Sequence, residues 1–382
     1  MAAALVTLEK SAKGGMQKFF KYVPAVVLCY LIAMLLCTLG VWDMAETKPA
    51  YSALKNNLTY AMIFAMLLRC NIRKVLKLGP KMLIGFFSAT LTIMIGFVCA
   101  FVLMKGTIGS DAWMGLGALC GSWIGGSGNM VAMQDALPVD PGAYACALTL
   151  NTVCYSVWIA LLIFMVRYSS KWDKSVKADT SKLSAIADVA NEEVEKEKKA
   201  KATSGDWVWM IGLALIVSAL SQWVGAKMGA GFAGMGLKMF DKGTCTTLFV
   251  TVLGLACAMT PLGKLPAANE LSSVLLYAVV ALLATQAPLN ALIEAPMWVV
   301  YGVFILVLHV VGMYILSKLF HWDLCMVSTA SVANIGGPAS APIIAVAYNP
   351  NYAGIGVLMG IFGQAIGNFF GLGLGWLLNL MA

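Results

Sequence analysis

Long apolar segments separated by short polar ones run through most of the chain. Nine of them have the length of a membrane-crossing helix, at 23–41, 51–68, 81–104, 142–167, 207–226, 243–260, 271–288, 296–319 and 352–380. A membrane helix needs about 20 consecutive apolar residues, whereas the strands of a membrane barrel are short and alternate in polarity. The pattern therefore predicts an all-α polytopic membrane protein with nine full crossings.

Two further apolar segments, 111–137 and 323–348, are interrupted near their centres by adjacent glycines. The first contains Gly125-Gly126, and the second contains Gly336-Gly337 followed by Pro338. Adjacent glycines remove the steric preference for a continued helix, and proline is tolerated mainly in the first turn of a new one. Each segment is therefore expected to form a helix, a short break and a second helix, as a re-entrant hairpin or a discontinuous helix.

A polar stretch at 168–206 divides the chain into two membrane halves, 1–167 and 207–382. Its middle, 191–201, is a mixed-charge run with almost no apolar residue. Such a run cannot form a core of its own, so a charged cytoplasmic linker, either solvated or an exposed helix, is expected rather than a domain.

The two halves resemble each other in the order of their features. Each has a proline before an apolar helix, then the glycine-broken segment, a second proline and a final apolar helix. The interval from the isoleucine before the glycine pair to the second proline is 17 residues in one half (Ile124 to Pro141) and 15 in the other (Ile335 to Pro350). This order and spacing predict two structural repeats.

The distribution of charge bears on topology. Only 12% of the residues are charged and 60% are hydrophobic, too few polar residues to cover a water-soluble globule. The net charge of +8 comes from basic clusters beside the apolar segments, which is typical of cytoplasmic loops and not of nucleic-acid binding. If both broken segments are hairpins, 20 of the 26 Lys and Arg residues lie on the side of the amino terminus and linker. If both cross completely, the linker lies on the opposite face, and only 12 of the 26 lie on the side of the amino terminus. The positive-inside rule thus favours hairpins, inverted repeats and a cytoplasmic amino terminus and linker.

Backbone that leaves helical geometry inside a bilayer survives only when it is buried in protein or lines a wet cavity. Helix starts attract anions, and free carbonyl oxygens at helix ends suit an alkali cation. Two breaks that meet in the membrane would therefore form a site for a solute and sodium. The candidate residues are Gly125, Gly126, Ser127, Gly128, Asn129, Asn334, Gly336, Gly337, Pro338, Ala339 and Ser340, with Na⁺ near Ser127, Asn129, Asn334 and Ser340. The alternative is that these glycines only allow close helix packing.

Polar residues in the flanking helices are weaker candidates for lining a cavity. They are Asn151, Gln286, Gln364 and Asn368, each of which could equally form an interhelical hydrogen bond. His309 is the one ionisable residue deep in a predicted crossing, so it could couple transport to protons or serve as a hydrogen-bonded packing residue.

Three stretches, 123–137, 333–342 and 354–368, resemble the YjcL-like proteins, an uncharacterised bacterial membrane family. More distantly, the two glycine-pair hairpins in inverted halves look like the sodium:glutamate, 2-hydroxycarboxylate and sodium:bile acid symporters. The resemblance implies a bacterial inner membrane location, sodium coupling, an anionic organic substrate, a homodimer and an elevator movement. By motif position, 125–129 and 336–340 would be the binding loops. This chain has no arginine in the second hairpin region to clamp a carboxylate, so a neutral or zwitterionic solute fits as well.

Taken together, these features predict a secondary active transporter. The expected partners are the lipid bilayer and a small polar or anionic solute (a carboxylate, an amino acid or a short peptide), with Na⁺ as coupling ion and no other cofactor. Two alternatives are a proton-coupled exchanger that uses His309 and a non-transporting receptor or scaffold that acts through linker 168–206. An enzyme is not expected, because phosphate-loop and zinc-site motifs and paired catalytic groups are missing from the sequence.

Overall fold

The computed structural model describes residues 1–109, 111–180, 183–195, 202–237 and 239–382, which form helices and no strands. The first half contains α1 (Ala2–Ser11), α2 (Gly14–Tyr22), α3 (Ala25–Thr38), α4 (Met44–Leu67), α5 (Ile72–Val75), α6 (Gly79–Ile108), α7 (Ala112–Gly125), α8 (Ser127–Ala136) and α9 (Pro141–Met165). The linker contains α10 (Ser169–Val176) and α11 (Leu183–Glu195). The second half contains α12 (Ser204–Gly234), α13 (Lys242–Ala258), α14 (Ala268–Ala284), α15 (Ala295–Phe320), α16 (Leu324–Ile335), α17 (Gly337–Tyr348) and α18 (Ala353–Asn379). Short 3-10 segments lie at Leu76–Leu78, Val166–Tyr168, Pro261–Lys264, Leu289–Glu294 and Pro350–Tyr352.

The lengths of the helices confirm an all-α protein with several membrane spans. Within the described residues, five stretches are long and apolar enough to cross a membrane: Ile72–Ile108, Pro141–Val176, Ser204–Gly234, Leu292–Phe320 and Pro350–Asn379. Helices α3, α13 and α14 have 14, 17 and 17 residues, fewer than the ~20 of a standard crossing. The count of nine full crossings therefore stays a prediction.

Capping residues place helix ends beyond the apolar segments predicted from the sequence. Helix α4 begins at Met44 and not at 51, because Asp43 accepts hydrogen bonds from the backbone N–H of Ala45 (2.6 Å) and Glu46 (3.0 Å). Helix α12 begins at Ser204 with a reciprocal cap between Thr203 and Asp206. The hydrophobic pattern missed these turns because their residues are polar.

Both glycine-broken segments fold back on themselves. Helices α7 and α8 pair Gly125 with Asn129, Gly121 with Met133 and Gly117 with Leu137, an order that only antiparallel helices give. Helices α16 and α17 pair Gly336 with Ser340, and the hydroxyls of Ser328 and Tyr348 lie 2.9 Å apart. The chain turns in the left-handed region at Gly126 (φ 101°) and Gly337 (φ 64°), which glycine adopts without steric cost. We call α7–α8 hairpin 1 and α16–α17 hairpin 2.

The membrane helices pack into two groups. Helices α3, α4, α12, α13 and α14 pack on one another and are called the scaffold bundle. The two hairpins pack with α6, α9, α15 and α18 and are called the hairpin bundle. At the centre of the hairpin bundle α6 and α15 cross antiparallel: Gly96 contacts Ile305, and Gly312 contacts Thr92.

Helix α18 holds the two hairpins together through a face of glycines. Gly360 lies against the backbone of Pro338 in hairpin 2, and Gly367 lies against Gly125 in hairpin 1. Between them, Gly363 lies against the carbonyl oxygens of Ile124 and Ala333. The glycines that recur along α18 therefore let one helix approach both breaks at backbone distance.

The described part of the linker differs from the solvated segment or exposed helix expected. Helix α11 packs on the start of α18, where Asn191 accepts a hydrogen bond from Gly354 N (3.0 Å) and donates one to Asn351 O (2.8 Å). Glu193 pairs with Lys77 at 2.8 Å. The prediction rested on the charged run 191–201, whereas the apolar positions of α11 that allow this packing, such as Ala187, precede most of that run. Residues 181–182 and 196–201 of the predicted linker lie outside the described residues.

Candidate functional site

The tips of the two hairpins contact each other. A Cβ atom on Gly337 would lie 3.5 Å from the carbonyl oxygen of Gly125 and 3.6 Å from the Cα atom of Gly126. Helices α7 and α16 end at this contact, and α8 and α17 begin there. Two sets of unpaired helix-end carbonyls and two sets of helix-start N–H groups are therefore gathered within the bundle.

A cavity of about 430 Å³ lies beside the two tips, between the hairpin bundle and the scaffold bundle. It is lined by Gly125, Gly126, Ser127 and Gly128 of hairpin 1 and by Gly336, Pro338 and Ala339 of hairpin 2. Helices α4, α14 and α18 complete the lining. Seven of the hairpin residues singled out from the sequence thus share one cavity, although they come from opposite halves of the chain.

A smaller cavity of about 210 Å³ shares Gly126, Ser127, Gly336 and Ala339 with the larger one. Its wall includes Asn151 and Tyr155 of α9 and the start of α3. Ser340 also lines it, and the Ser340 hydroxyl lies 2.6 Å from that of Tyr155. The candidate residues Ser340 and Asn151 therefore belong to this second cavity.

Asn129 is buried beside the tip of hairpin 1 with one of its polar atoms unpaired. Its Nδ2 donates to Gln364 O at 3.1 Å and to Asn368 Oδ1 at 2.8 Å, and Asn368 in turn donates to Thr251 Oγ1 at 2.9 Å. Asn129 Oδ1 has no hydrogen-bond partner among the described residues. Asn129 itself lines neither cavity, so this unpaired oxygen lies beside the break and not in a cavity wall.

Asn334, by contrast, is fully engaged in packing. Its Oδ1 accepts from Thr90 Oγ1 at 2.7 Å, and its Nδ2 donates to Ala330 O at 2.9 Å. The four side chains predicted near sodium are thus dispersed: Asn334 joins α6 to α16, Ser340 bonds to α9, Ser127 lines both cavities and Asn129 bonds to α18.

His309 lies in a network of neutral partners. Its Nδ1 is 2.7 Å from Thr92 Oγ1, and its Nε2 is 2.8 Å from Ser331 Oγ. The Thr92 hydroxyl donates its proton to a backbone carbonyl of α6, so it accepts from His309 Nδ1–H. Ser331 accepts from Trp158 Nε1 at 3.0 Å, so its proton goes to His309 Nε2. Every polar atom is satisfied with the imidazole neutral, which favours the packing role.

The remaining glutamines lie apart from each other. Gln364 of α18 lines the larger cavity. Gln286 follows α14 at its far end, where its Nε2 lies 3.4 Å from Thr47 Oγ1, and it lines neither cavity.

The sequence missed four polar residues that line the larger cavity: Arg69, Asn269, Ser272 and Ser273. Arg69 follows the end of α4 and donates from Nη1 to Asn269 Oδ1 at the start of α14. In the sequence, Arg69 begins the basic loop 69–81 that follows the apolar segment 51–68, and Asn269 precedes the helix predicted at 271. The sequence feature that could have identified the last three is the spacing of 269, 272 and 273, which places three polar residues on one face of a helix.

The bases of the hairpins carry carboxylates, one partly buried (Asp135) and one buried (Asp323). In hairpin 1, Asp135 pairs with Lys55 of α4 at 2.7 Å and accepts from the Tyr60 hydroxyl. In hairpin 2, Asp323 caps α16 by accepting from Met326 N at 2.8 Å, with Lys81 at 3.9 Å. Burial raises the pKa of the Asp323 carboxyl, an effect that the Met326 N–H and Lys81 partly oppose.

Comparison with known proteins agrees with a multi-pass membrane protein. The chain is 24% identical over 383 residues to the "Uncharacterized membrane protein YjcL" of Bacillus subtilis (strain 168), an alignment that covers 94% of this chain and 92% of the relative. The family model described as "Protein of unknown function (DUF819)" matches residues 1–381. Since that match spans nearly the whole chain, the protein belongs to the DUF819 family.

Proposed function

We propose that this protein is a secondary active transporter that moves a small polar or anionic organic solute, coupled to sodium. The observation that carries the proposal is the contact between the two hairpin tips beside a cavity that both tips line. Non-helical backbone at membrane depth is tolerated where it lines a cavity, and paired discontinuous helices are how many transporters build their sites.

Inverted repeats are part of this proposal, and the crossing of α6 and α15 supports them. Gly96 and Gly312, the contact points of α6 and α15, each lie 16 residues after the proline that begins the helix (Pro80 and Pro296). Two equivalent helices that cross antiparallel at equivalent glycines are what a pseudo-twofold axis in the membrane plane produces. With re-entrant hairpins and nine crossings, the larger cavity opens towards the cytoplasm, because Arg69 at its edge begins the basic loop 69–81.

Sodium coupling rests on oxygen atoms gathered at the tips. The carbonyl oxygens of Ile124 and Ala333, from the ends of α7 and α16, both lie beside Gly363. Asn129 Oδ1 is buried without a partner nearby. Carbonyl oxygens at the ends of broken helices are the ligands that sodium takes in such transporters. An elevator movement of the hairpin bundle against the scaffold bundle, in a homodimer, completes the proposal by resemblance to the sodium symporters.

The test is uptake into proteoliposomes of a panel of amino acids, dicarboxylates and short peptides, with and without a sodium gradient. Gly126→Leu, Gly337→Leu and Ala339→Leu each place a side chain at the tips and should reduce sodium-driven uptake about tenfold or more. Ala339→Leu is the least strained, because this residue lies within a helix and is exposed to both cavities.

Gly212→Leu in α12 is the matched control, since a Cβ there would meet nothing within 4 Å. Uptake by this variant should equal that of the unmodified protein. Full uptake with all three tip substitutions would contradict the proposal. A receptor or scaffold acting through 168–206 would instead show no solute accumulation in any variant.

A further inference from the structure

We infer that Arg69 binds the carboxylate of the solute, so that the larger cavity takes a monocarboxylate with an apolar body; this rests on the proposed function. Among the described residues that line the cavity, Arg69 carries the only charge. The second hairpin region holds no arginine for a carboxylate, whereas Arg69 follows α4 of the scaffold bundle.

The contacts of Arg69 leave most of its hydrogen-bonding capacity open. Its guanidinium has five N–H donors and stays charged at all physiological pH values. One of the donors goes to Asn269, which fixes the side chain between α4 and α14. No carboxylate of the described chain forms an ion pair with it. A charged, oriented and unpaired guanidinium in a cavity is suited to bidentate binding of a carboxylate.

The rest of the cavity defines the other parts of the solute. Ser272 and Ser273 stand on the same helix as Asn269 and add hydroxyls near the arginine. Met62, Met66 and Leu276 supply an apolar wall between that end and the hairpin tips. With one cation in the lining, a second carboxylate would be buried without a counter-charge, which is costly. The cavity therefore favours one carboxylate on an apolar body, with a polar group at the tips.

The position of Arg69 on the scaffold bundle also gives it a role on one side of the membrane. If the hairpin bundle carries the solute past the scaffold bundle, the tips travel with the solute and Arg69 does not. Arg69 therefore holds the carboxylate only while the cavity is open to the cytoplasm.

The experiment measures thermal stabilisation of the purified full chain by acids and their amides. The pairs are hexanoate with hexanamide and N-acetyl-L-leucine with N-acetyl-L-leucinamide, and adipate serves as the dicarboxylate. On the unmodified protein each acid should bind about tenfold or more tighter than its amide, since hydrogen bonds to charged groups contribute that much. Adipate should bind no tighter than hexanoate.

Three variants assign the preference to Arg69. Arg69→Gln should bind acid and amide equally, and Arg69→Lys should keep a weakened preference for the acid. Arg73→Gln removes an exposed arginine from the next turn and should keep the full preference. An Arg69→Gln variant that still prefers the acids would overturn the inference, as would an unmodified protein that binds no acid or binds acid and amide alike.

The two proposals fail in distinguishable ways. Acid preference that depends on Arg69, without uptake of any solute into proteoliposomes, would leave this site standing and remove the transporter. Sodium-driven uptake with no acid preference would remove the role of Arg69 and leave the transporter standing.

Discussion

Nine buried side-chain atoms of the described residues have no hydrogen-bond partner, and Asn129 Oδ1 among them lies beside a hairpin tip. Asn334 and His309 each have both ends hydrogen-bonded. Asn129 keeps an unpaired oxygen beside Gly125. Burying an unpaired oxygen lowers the free energy of unfolding by about 1–3 kcal/mol, and helix packing at this atom does not offset that loss. Its position at the break favours a ligand-binding role over a packing role.

His309→Gln should leave the pH dependence of uptake unchanged. The partners of His309 are the neutral hydroxyls of Thr92 and Ser331. Neither of them is an acid or base that would exchange a proton with the imidazole near neutral pH. The variant should lose about 1–3 kcal/mol of stability, because one of these hydroxyls is left unpaired. Uptake measured across pH and thermal unfolding in detergent test both expectations.

His321→Gln, which changes the only other histidine, controls for replacing an imidazole with an amide. If His309→Gln alone removed the pH dependence, the proton-coupled exchanger would replace the sodium-coupled one.

At the scale of elements, α18 fixes the geometry of the site. It is the helix that contacts both tips, and its glycines allow backbone-to-backbone approach at Gly360 and Gly367. Helix α9, which follows hairpin 1 as α18 follows hairpin 2, carries larger side chains and lies nearer the surface. The two halves therefore share an order of elements but pack differently around the breaks.

Gly360→Ala and Gly373→Ala should have opposite effects, although they place the same methyl group in the same helix. A Cβ on Gly360 would overlap the backbone of Pro338, so this variant should lose about 1–3 kcal/mol through overpacking. A Cβ on Gly373 would meet nothing within 4 Å, and alanine there should gain up to about 1 kcal/mol from helix propensity. Thermal unfolding of the two purified variants measures the difference. Equal stabilities would mean that α18 does not press on hairpin 2.

The sequence predicted the helices and the breaks better than the contacts between them. Apolar length identified the nine helical segments, and glycine pairs identified the breaks at Gly126 and Gly337 within a residue. The contact between those breaks joins residues more than 200 positions apart, which no local pattern encodes. The positive-inside rule indicates on which side of the membrane Arg69 lies, but it does not indicate whether the side chain lines a cavity. A helix such as α12, apolar on all sides, leaves its rotation undetermined, so the partners of its polar residues were not predictable.

At the scale of the whole molecule, the cavities lie where the hairpin bundle meets the scaffold bundle. Polar links also cross this boundary, among them Lys55 with Asp135 and Thr244 Oγ1 with Ala136 O at 2.9 Å. Links of this kind would have to separate for one bundle to slide along the other. The proposed transport cycle depends on that relative movement.

Cross-linking of the two bundles tests the movement most directly. A Cβ on Gly243 of α13 would lie 3.7 Å from the Cα atom of Ala136 in α8 and 2.6 Å from the carbonyl oxygen of Asp135, so α8 and α13 must shift slightly to admit Gly243→Cys. Once admitted, Ala136→Cys with Gly243→Cys, in a cysteine-free background, should form a disulfide between the bundles, and uptake by the reduced pair shows that the change itself is tolerated. Leu67→Cys with Gly254→Cys is the matched control: a Cβ on Gly254 would lie 3.0 Å from that of Leu67, and both helices belong to the scaffold bundle.

The measurement is sodium-driven uptake before and after oxidation, and again after reduction. We expect oxidation of the Ala136→Cys/Gly243→Cys pair to stop uptake and reduction to restore it, while the Leu67→Cys/Gly254→Cys pair transports in both states. Undiminished uptake with the bundles covalently joined would contradict the account.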